Sequence, residues 1–395
     1  MADIDTDTSW PPRRTRRTRF VCISDTHNCT VKLPKGDVLI HCGDLTNQGS
    51  FTELSKQVHW LEQANFECKI VVAGNHDLTL DTAFYSVHGA YRHNKRPQVP
   101  ADCQALLAGS ESITYLQHER RAIRLTSPAG PRTAFSIFGS PYSPAWGGAW
   151  AFQYPRLDDD DGVAARALWD AVPLDTDVLV THGPARTHCD ESRAGGGQAA
   201  GCEVLRQTLW RVRPRLALCG HIHEARGAER VRWDLGSRHA RHAELGRTVY
   251  IQHWRGIKDS SELTWRDASP ESEKIALVDL TARGGAPLDN DGSRPASDGE
   301  SRDEPGGRRG ASPGGEGGGD GDRSVASPGI GTLGLGGDPA SARYDRAALA
   351  GRLGRRETCV VNCAIQHSSY PHAGHGPRKL NKAIVVDLDL PVWGD

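Results

Sequence analysis

No two of the ten cysteines are spaced as CxxC, and nothing in their spacing suggests a disulfide framework. Cys22, Cys42 and Cys219 each lie in a short apolar run before a polar motif and read as small, reduced core residues. Cys359 and Cys363 share one face of another such run. No apolar run approaches the ~18–20 residues needed to span a bilayer, and the N-terminus shows no apolar signal-peptide region. We therefore expect an intracellular protein, in the cytoplasm or alternatively the nucleus, with no membrane partner. The net charge of −1 gives no bulk attraction to nucleic acid. The hydrophobic share is a low 37%, but the shortage is local, since 20 of the 44 glycines fall between Thr281 and Arg356. That stretch of Gly, Ser, Pro, Asp and Arg holds too few large apolar residues to offset its ordering entropy and is expected to be disordered.

What remains suffices for one sizeable core. We expect a basic tail over 1–18, a first part of the domain over 19–280, a disordered insertion over 281–356 and closing strands over 357–395. Arg13, Arg14, Arg16, Arg17 and Arg19 read as a solvated tail before the first strand, with an import signal or phosphate-binding arm as the alternative. Continuous apolar runs at Phe20 to Ser24, Val38 to Cys42, Ile70 to Ala73, Phe135 to Phe138, Val178 to Val180, Leu216 to Cys219, Cys359 to Ile365 and Ala383 to Leu388 read as strands covered on both faces. Phe51 to Phe66 repeats apolar residues at spacings of three and four, and Val163 to Ala171 and Cys202 to Val212 also read as helices. The class is α/β. Val249 to Trp254 and Ile275 to Leu280 could add a hairpin or edge strand.

The polar clusters fall where strands end: Ser24-Asp25-Thr26-His27-Asn28, Gly43-Asp44, Gly74-Asn75-His76-Asp77, Thr181-His182-Gly183 and Gly220-His221-Ile222-His223. Strand carboxyl ends are where open α/β sheets bind ligands, so the five motifs would meet on one rim. Asp25, His27, Asp44, Asn75, His182, His221 and His223 offer carboxylate, imidazole and amide ligands. That mixed oxygen and nitrogen set suits Mn2+, Fe, Zn2+, Ni2+ or Mg2+ and lacks the thiolates of a structural zinc site. Seven ligands are too many for one tetrahedral ion and suit two.

In order and content these blocks resemble the calcineurin-like metallophosphoesterase superfamily, with signature D-x-H, G-D, G-N-H-[DE], [ST]-H and G-H-x-H. Gly139-Ser140-Pro141, Trp150-Ala151-Phe152 with Pro155-Arg156, and Arg213-Pro214-Arg215 resemble in particular its small metallophosphoesterase-domain proteins from animals, fungi and bacteria. The resemblance implies a four-layer α/β/β/α sandwich of two mixed sheets. It also implies two divalent metal ions, Mn2+ foremost. Asp25, His27, Asp44 and His223 would hold the first ion, and Asp44, Asn75, His182 and His221 the second. A bridging water would attack phosphorus, with His76 stabilising the transition state or protonating the leaving oxygen and Asp77 orienting its ring. Some animal members carry Gly where this chain has His221, so the second position is complete here.

Asn28, Trp150 and Phe152 are candidate substrate contacts. The segment Trp146 to Tyr154 could instead cap the core, or wall a pocket where a ring stacks on a nucleobase. His41 reads as structural, His88, His93, His118 and His188 as surface or loop residues, His188 alternatively facing the site from the loop after His182, and Asp158 to Asp161 as a solvated turn. The expected partner is a small phosphoester, a cyclic nucleotide being the leading guess. A phosphomonoesterase or protein serine/threonine phosphatase, and a metal-binding scaffold with little turnover, are the alternatives. Nucleic acid is not an expected partner, and the oligomeric state has no signal in the sequence.

Overall fold

The computed structural model describes residues 14–156, 160–192, 198–233, 249–250, 275–284, 287–290, 355–367 and 380–393. Its strands are β1 (Thr15–Ile23), β2 (Val38–Cys42), β3 (Cys68–Val72), β4 (Thr114–Tyr115), β5 (Glu119–Arg124), β6 (Ala134–Ser140), β7 (Ser143–Pro144) and β8 (Gln153–Tyr154). They continue as β9 (Val178–Thr181), β10 (Glu191–Ser192), β11 (Gln198–Ala199), β12 (Leu216–Cys219), β13 (Gly227–Arg232), β14 (Val249–Tyr250), β15 (Ile275–Leu280), β16 (Glu357–Asn362) and β17 (Ala383–Pro391). Two mixed sheets carry the fold, ordered β15-β17-β1-β2-β3-β4 and β14-β13-β16-β12-β9-β6-β5.

The apolar runs are continuous because each strand is covered twice. Phe20 and Cys22 of β1 point between the sheets with Ile137, Val180, Leu218 and Val361 of the second sheet. Val21 and Ile23 point outward, onto Leu54, Val58 and Leu61 of helix Phe51–Glu62 and Cys103 and Leu107 of helix Pro100–Ala108. On the far side, Leu179 and Ala217 pack on Trp169 of helix Val163–Trp169 and on Leu205 and Leu209 of helix Glu203–Val212. The result is the four-layer α/β/β/α sandwich. Helix Thr82–Arg92 left no stripe in the sequence because Tyr85 and Gly89 are its only buried residues; Asp81 caps it by accepting from Phe84 N at 2.9 Å. No described helix is long and apolar enough to cross a membrane.

Two boundaries differ from expectation, and one alternative is decided. Strand β1 begins at Thr15, inside the segment read as a tail, because Thr15 to Cys22 pair antiparallel with Pro391 to Ile384. Its arginines are structural: Arg19 grips Asp387 through two hydrogen bonds of 2.7 and 2.6 Å, and Arg16 donates to Pro131 O. Residues 1–13 lie outside the described residues. Of the two alternatives for the segments at Val249 and Ile275 the structure has the edge strand: β14 lies at the edge of one sheet and β15 at the edge of the other. Finally, the fold continues past Thr281 to Asn290, which is 1% exposed. Asn290 Nδ2 donates to Glu357 O, and its Oδ1 accepts from Arg356 N and Glu357 N. The rest of the expected disordered segment, 285–286 and 291–354, lies outside the described residues.

Candidate metal centre

The five polar motifs follow β1, β2, β3, β9 and β12, five neighbouring strand ends, and the backbone stitches them together. Asp25 N and His27 N donate to Gly43 O and Asp44 O at 2.9 and 3.1 Å, and Gly220 N donates to His182 O at 3.0 Å. Asp25, His27, Asn28, Asp44 and His221 all adopt positive φ, between 45° and 68°. Such backbone strain on non-glycine residues gathers at functional sites and persists only where the surroundings enforce it.

Two groups of ligand atoms result, each within 4.8 Å: Asp25, His27 and His223, and Asp44, His182 and His221. Asp44 belongs to both in effect, with Oδ2 3.6 Å from His27 Nε2 and Oδ1 3.4 Å from His182 Nε2. Asn75 Oδ1 adds a seventh donor, 3.0 Å from His182 Nε2. Carbonyls behind the rings fix their tautomers: His27 Nδ1 donates to Thr46 O at 3.1 Å and His182 Nδ1 to Cys42 O at 2.9 Å. Each Nε2 is thereby left facing its group, as outer partners do for metal-bound histidines. His27 Nε2 also lies 3.4 Å from His223 Nε2, itself 3.2 Å from Asp25 Oδ1. Buried acceptors crowded this closely repel unless a proton or cation stands between them, so the donor set fits two metal ions.

The neighbours of His76 differ from the sequence reading. Asp77 does not touch its imidazole. Fully buried, the Asp77 carboxylate accepts from Leu45 N, Thr46 N, Thr46 Oγ1 and Gly74 N at 2.7–3.2 Å. It braces the Asp44 loop against the Asn75 loop. The ring is oriented instead by Asn47, whose carbonyl accepts from His76 Nδ1 at 2.9 Å. A backbone acceptor carries no sequence signature, whereas a carboxylate next to the histidine does. The His76 ring meets the His27 ring edge-on at 4.8 Å, at the rim of the first group.

The three substrate contacts suggested by sequence fare differently. Phe152 is 2% exposed and packs in the core beside Ala151, its N–H bound by Asp81. It is a core residue, not a pocket wall. Trp150 does lie at the site, 4.4 Å from the His76 ring, but the Arg92 guanidinium also covers it at 4.2 Å. With both neighbours at stacking distance its π surface is already engaged, which argues against a nucleobase platform. Asn28 is exposed, and its Nδ2 donates to Glu53 Oε1 at 2.7 Å.

His41 is structural, its Nε2 bonded to Thr26 Oγ1 at 2.9 Å. His188 and His93 are buried rather than superficial; His188 Nδ1 pairs with the fully buried Glu229 at 3.0 Å, and His93 with Tyr85 OH. Of the acidic run, Asp160 accepts from Gly162 N and Ala164 N at the start of helix Val163–Trp169, while residues 157–159 lie outside the described residues. Asn362 closes β16. Its Nδ2 donates to Cys189 O and Ile222 O at 3.1 and 2.9 Å, tying the loop after His182 to the loop carrying His221 and His223.

Burial dominates the titration of the metal-free site. It holds His27 at about 4 and His221 at about 3, and it also lowers His41 to about 4. For His182 burial also pulls down, but the Asp44 carboxylate prevails and raises it to about 9. Burial and then the Asp44 charge push Asp77 up to about 6. Depressed histidines contribute stability that is present above the unfolded value of about 6.5 and lost as pH falls toward 4. Asp77 opposes them, since its raised pKa makes the fold take up a proton between about pH 6 and 4. His182 is protonated in both states below about pH 6 and opposes the fall only nearer pH 7, where its raised value of about 9 still adds stability on acidification. Near pH 5 the balance is roughly two protons taken up on unfolding, or about 2–3 kcal/mol lost per pH unit. Urea unfolding of chelator-treated protein at pH 7 and pH 5 should show this fall, and a flat or rising stability would contradict the assignment.

Two mixed sheets with paired ligand groups at their strand ends define a dinuclear metallophosphoesterase architecture. Residues 18–225 match the family model of the calcineurin-like phosphoesterases, and the chain belongs to that family. It is 43% identical over 222 residues to a probable rhamnogalacturonate lyase C of Emericella nidulans, covering 56% of this chain and 18% of that protein. It is 37% identical over 226 residues to metallophosphoesterase domain-containing protein 1 of Homo sapiens, covering 55% of this chain and 64% of that one. The chain thus spans less than two thirds of either relative. Among solved structures, a purple acid phosphatase from yellow lupin (Lupinus luteus) seeds is 12% identical, covering 57% of this chain and 42% of that chain at a TM-score of 0.31. Metal-dependent hydrolysis of phosphoric esters is the chemistry of the family.

Proposed function

We propose that this chain hydrolyses phosphodiesters of small molecules, cyclic nucleotides foremost, with two divalent metal ions, Mn2+ by preference. The observation that carries the reading is the pair of ligand groups sharing Asp44, with His76 on their rim. Asp25, His27, His223 and Asp44 would hold one ion, and Asp44, Asn75, His182 and His221 the other. When bound, such a pair supplies positive charge to the phosphoryl oxygens and an acidified water as nucleophile. His76 donates through Nδ1 to Asn47 O, leaving Nε2 to deliver a proton to the departing oxygen. Among the described residues, no Lys or Arg side chain pairs with Asp25, Asp44, Asn75, His76, His182 or His221. The lack of a Lys or Arg partner at these six residues favours a singly charged diester over the dianion of a monoester.

With Mn2+ present, bis(p-nitrophenyl) phosphate should turn over at least ~10-fold faster than p-nitrophenyl phosphate, a transition-state difference of about 1.4 kcal/mol. Much faster monoester turnover would overturn the diester preference in favour of a phosphatase. An Asp44→Asn protein as active as the parent would instead point to a binding scaffold.

A further inference from the structure

Glu53 serves more than the helix it begins. As third residue of helix Phe51–Glu62 it closes a capping box with Ser50: Oε2 accepts from Ser50 N at 2.9 Å and Ser50 Oγ at 2.7 Å. A capping box needs only one carboxylate oxygen. The second, Oε1, accepts from Asn28 Nδ2 at 2.7 Å and from Asn47 N at 3.3 Å. Asn28 follows His27 in the first ligand loop, and Asn47 is the residue whose carbonyl takes the His76 Nδ1 proton. One carboxylate therefore clamps the loop after β1 to the loop after β2. It also holds, through its N–H, the residue whose carbonyl sets the tautomer and aim of His76. Burial would raise the Glu53 pKa, but the hydrogen bonds from Asn28 and Ser50 hold it below its ordinary value, as an ionised clamp.

We infer that Glu53 is a positioning residue for the hydrolysis, acting on His76 through Asn47; this rests on the reading of His76 as the proton donor. It touches neither metal group nor substrate. Its removal should therefore slow the protonated step and spare binding. Reactions with a good leaving group need little proton donation, and those with a basic one need much.

The test compares diphenyl phosphate with bis(p-nitrophenyl) phosphate on the metal-loaded full chain. Glu53→Ala should lower kcat about tenfold for diphenyl phosphate and less than about threefold for the p-nitrophenyl ester, with KM little changed. Ser50→Ala loosens the same helix end but leaves both Oε1 contacts. It should lower Tm comparably while keeping both kcat values within about twofold. Equal losses on both substrates in Glu53→Ala, or no loss on either, would overturn the proposal. So would a Ser50→Ala protein with the same leaving-group dependence as Glu53→Ala.

A second readout separates this idea from the role of His76. In 15N-histidine spectra of the Zn2+-loaded protein, the His76 Nδ1–H resonance is assigned by its loss in His76→Ala. Glu53→Ala should shift it or broaden it by exchange; an unchanged resonance means that Glu53 does not position the ring. If His76→Ala itself shows no leaving-group dependence, the proton-donor reading fails, and this spectrum alone then decides whether Glu53 positions the ring.

Discussion

Gly74→Ala should abolish turnover and empty the Asp44, His182 and His221 position of metal. A Cβ at residue 74 would stand 2.3 Å from Asp44 Oδ1, 2.4 Å from Asp44 N and 2.7 Å from His182 Cε1. None of these atoms can give way. Asp44 N belongs to the backbone at the end of β2, and the His182 ring is fixed by the hydrogen bond from its Nδ1 to Cys42 O. Relief therefore requires the Asn75 loop to withdraw from Asp44, which breaks the hydrogen bond from His76 N to Asp44 Oδ1 at 2.8 Å. Overpacking commonly costs about 1–3 kcal/mol in stability. Displacing ligand and proton donor together should lower kcat by about 10³-fold or more. Gly220→Ala is the counterpart at the other group, its Cβ falling 2.2 Å from Asp25 Oδ2. Metal analysis with steady-state kinetics checks both. A Gly74→Ala protein holding two ions and within tenfold of parental kcat would show that the two loops do not meet this tightly.

Ending the chain at Asn290 should prevent folding, whereas joining Asn290 to Arg355 through a short glycine-serine linker should not. Strand β16 lies between β12 and β13, and β17 between β1 and β15, so truncation removes an interior strand from each sheet. It also removes Cys359, Val361, Ile384, Val386, Leu388 and Leu390 from the layer between the sheets. At about 1.5–3 kcal/mol for each large buried side chain, that loss exceeds the 5–15 kcal/mol stability of a typical domain. The joined chain should lose little, because Asn290 Oδ1 already accepts from Arg356 N at 2.8 Å and the two ends are adjacent. Soluble yield, circular dichroism and Mn2+-dependent hydrolysis separate the outcomes. A soluble, cooperatively melting truncation would show that the two strands are dispensable, and an unfolded linker protein that residues 291–354 are not.

Much of the centre was legible because its chemistry is tied to residue type. Asp25, His27, Asp44, Asn75, His182, His221 and His223 stand after apolar runs, and only carboxylates, imidazoles and amides could serve there. The strands were legible for a related reason: burial on both faces leaves no alternation, so Val21 and Cys22 are both apolar although they face different layers. Asp77 faces backbone amides rather than the His76 ring, because adjacency in sequence is a poor guide to which group faces a ring. Phe152 and Trp150, two residues apart, divide between the core and the side of the His76 ring for want of any period in a turn. Arg16, Arg17 and Arg19 looked like a solvated tail because the strand that pairs with them lies hundreds of residues away. Asn290 sat in a glycine-rich context that masked its hydrogen bonds to the chain ahead of β16.

By itself the sequence determined the ligand types, their order and the layered α/β class, since these depend on side-chain chemistry and on periods of a few residues. Tertiary structure alone decided which backbone carbonyl holds each histidine tautomer, that Asn47 rather than Asp77 aims His76, and that Glu53 ties two ligand loops together. The physical reason is that such contacts join main-chain atoms and distant side chains. Every residue type carries a carbonyl and an amide, so their use leaves no trace in the order of the letters.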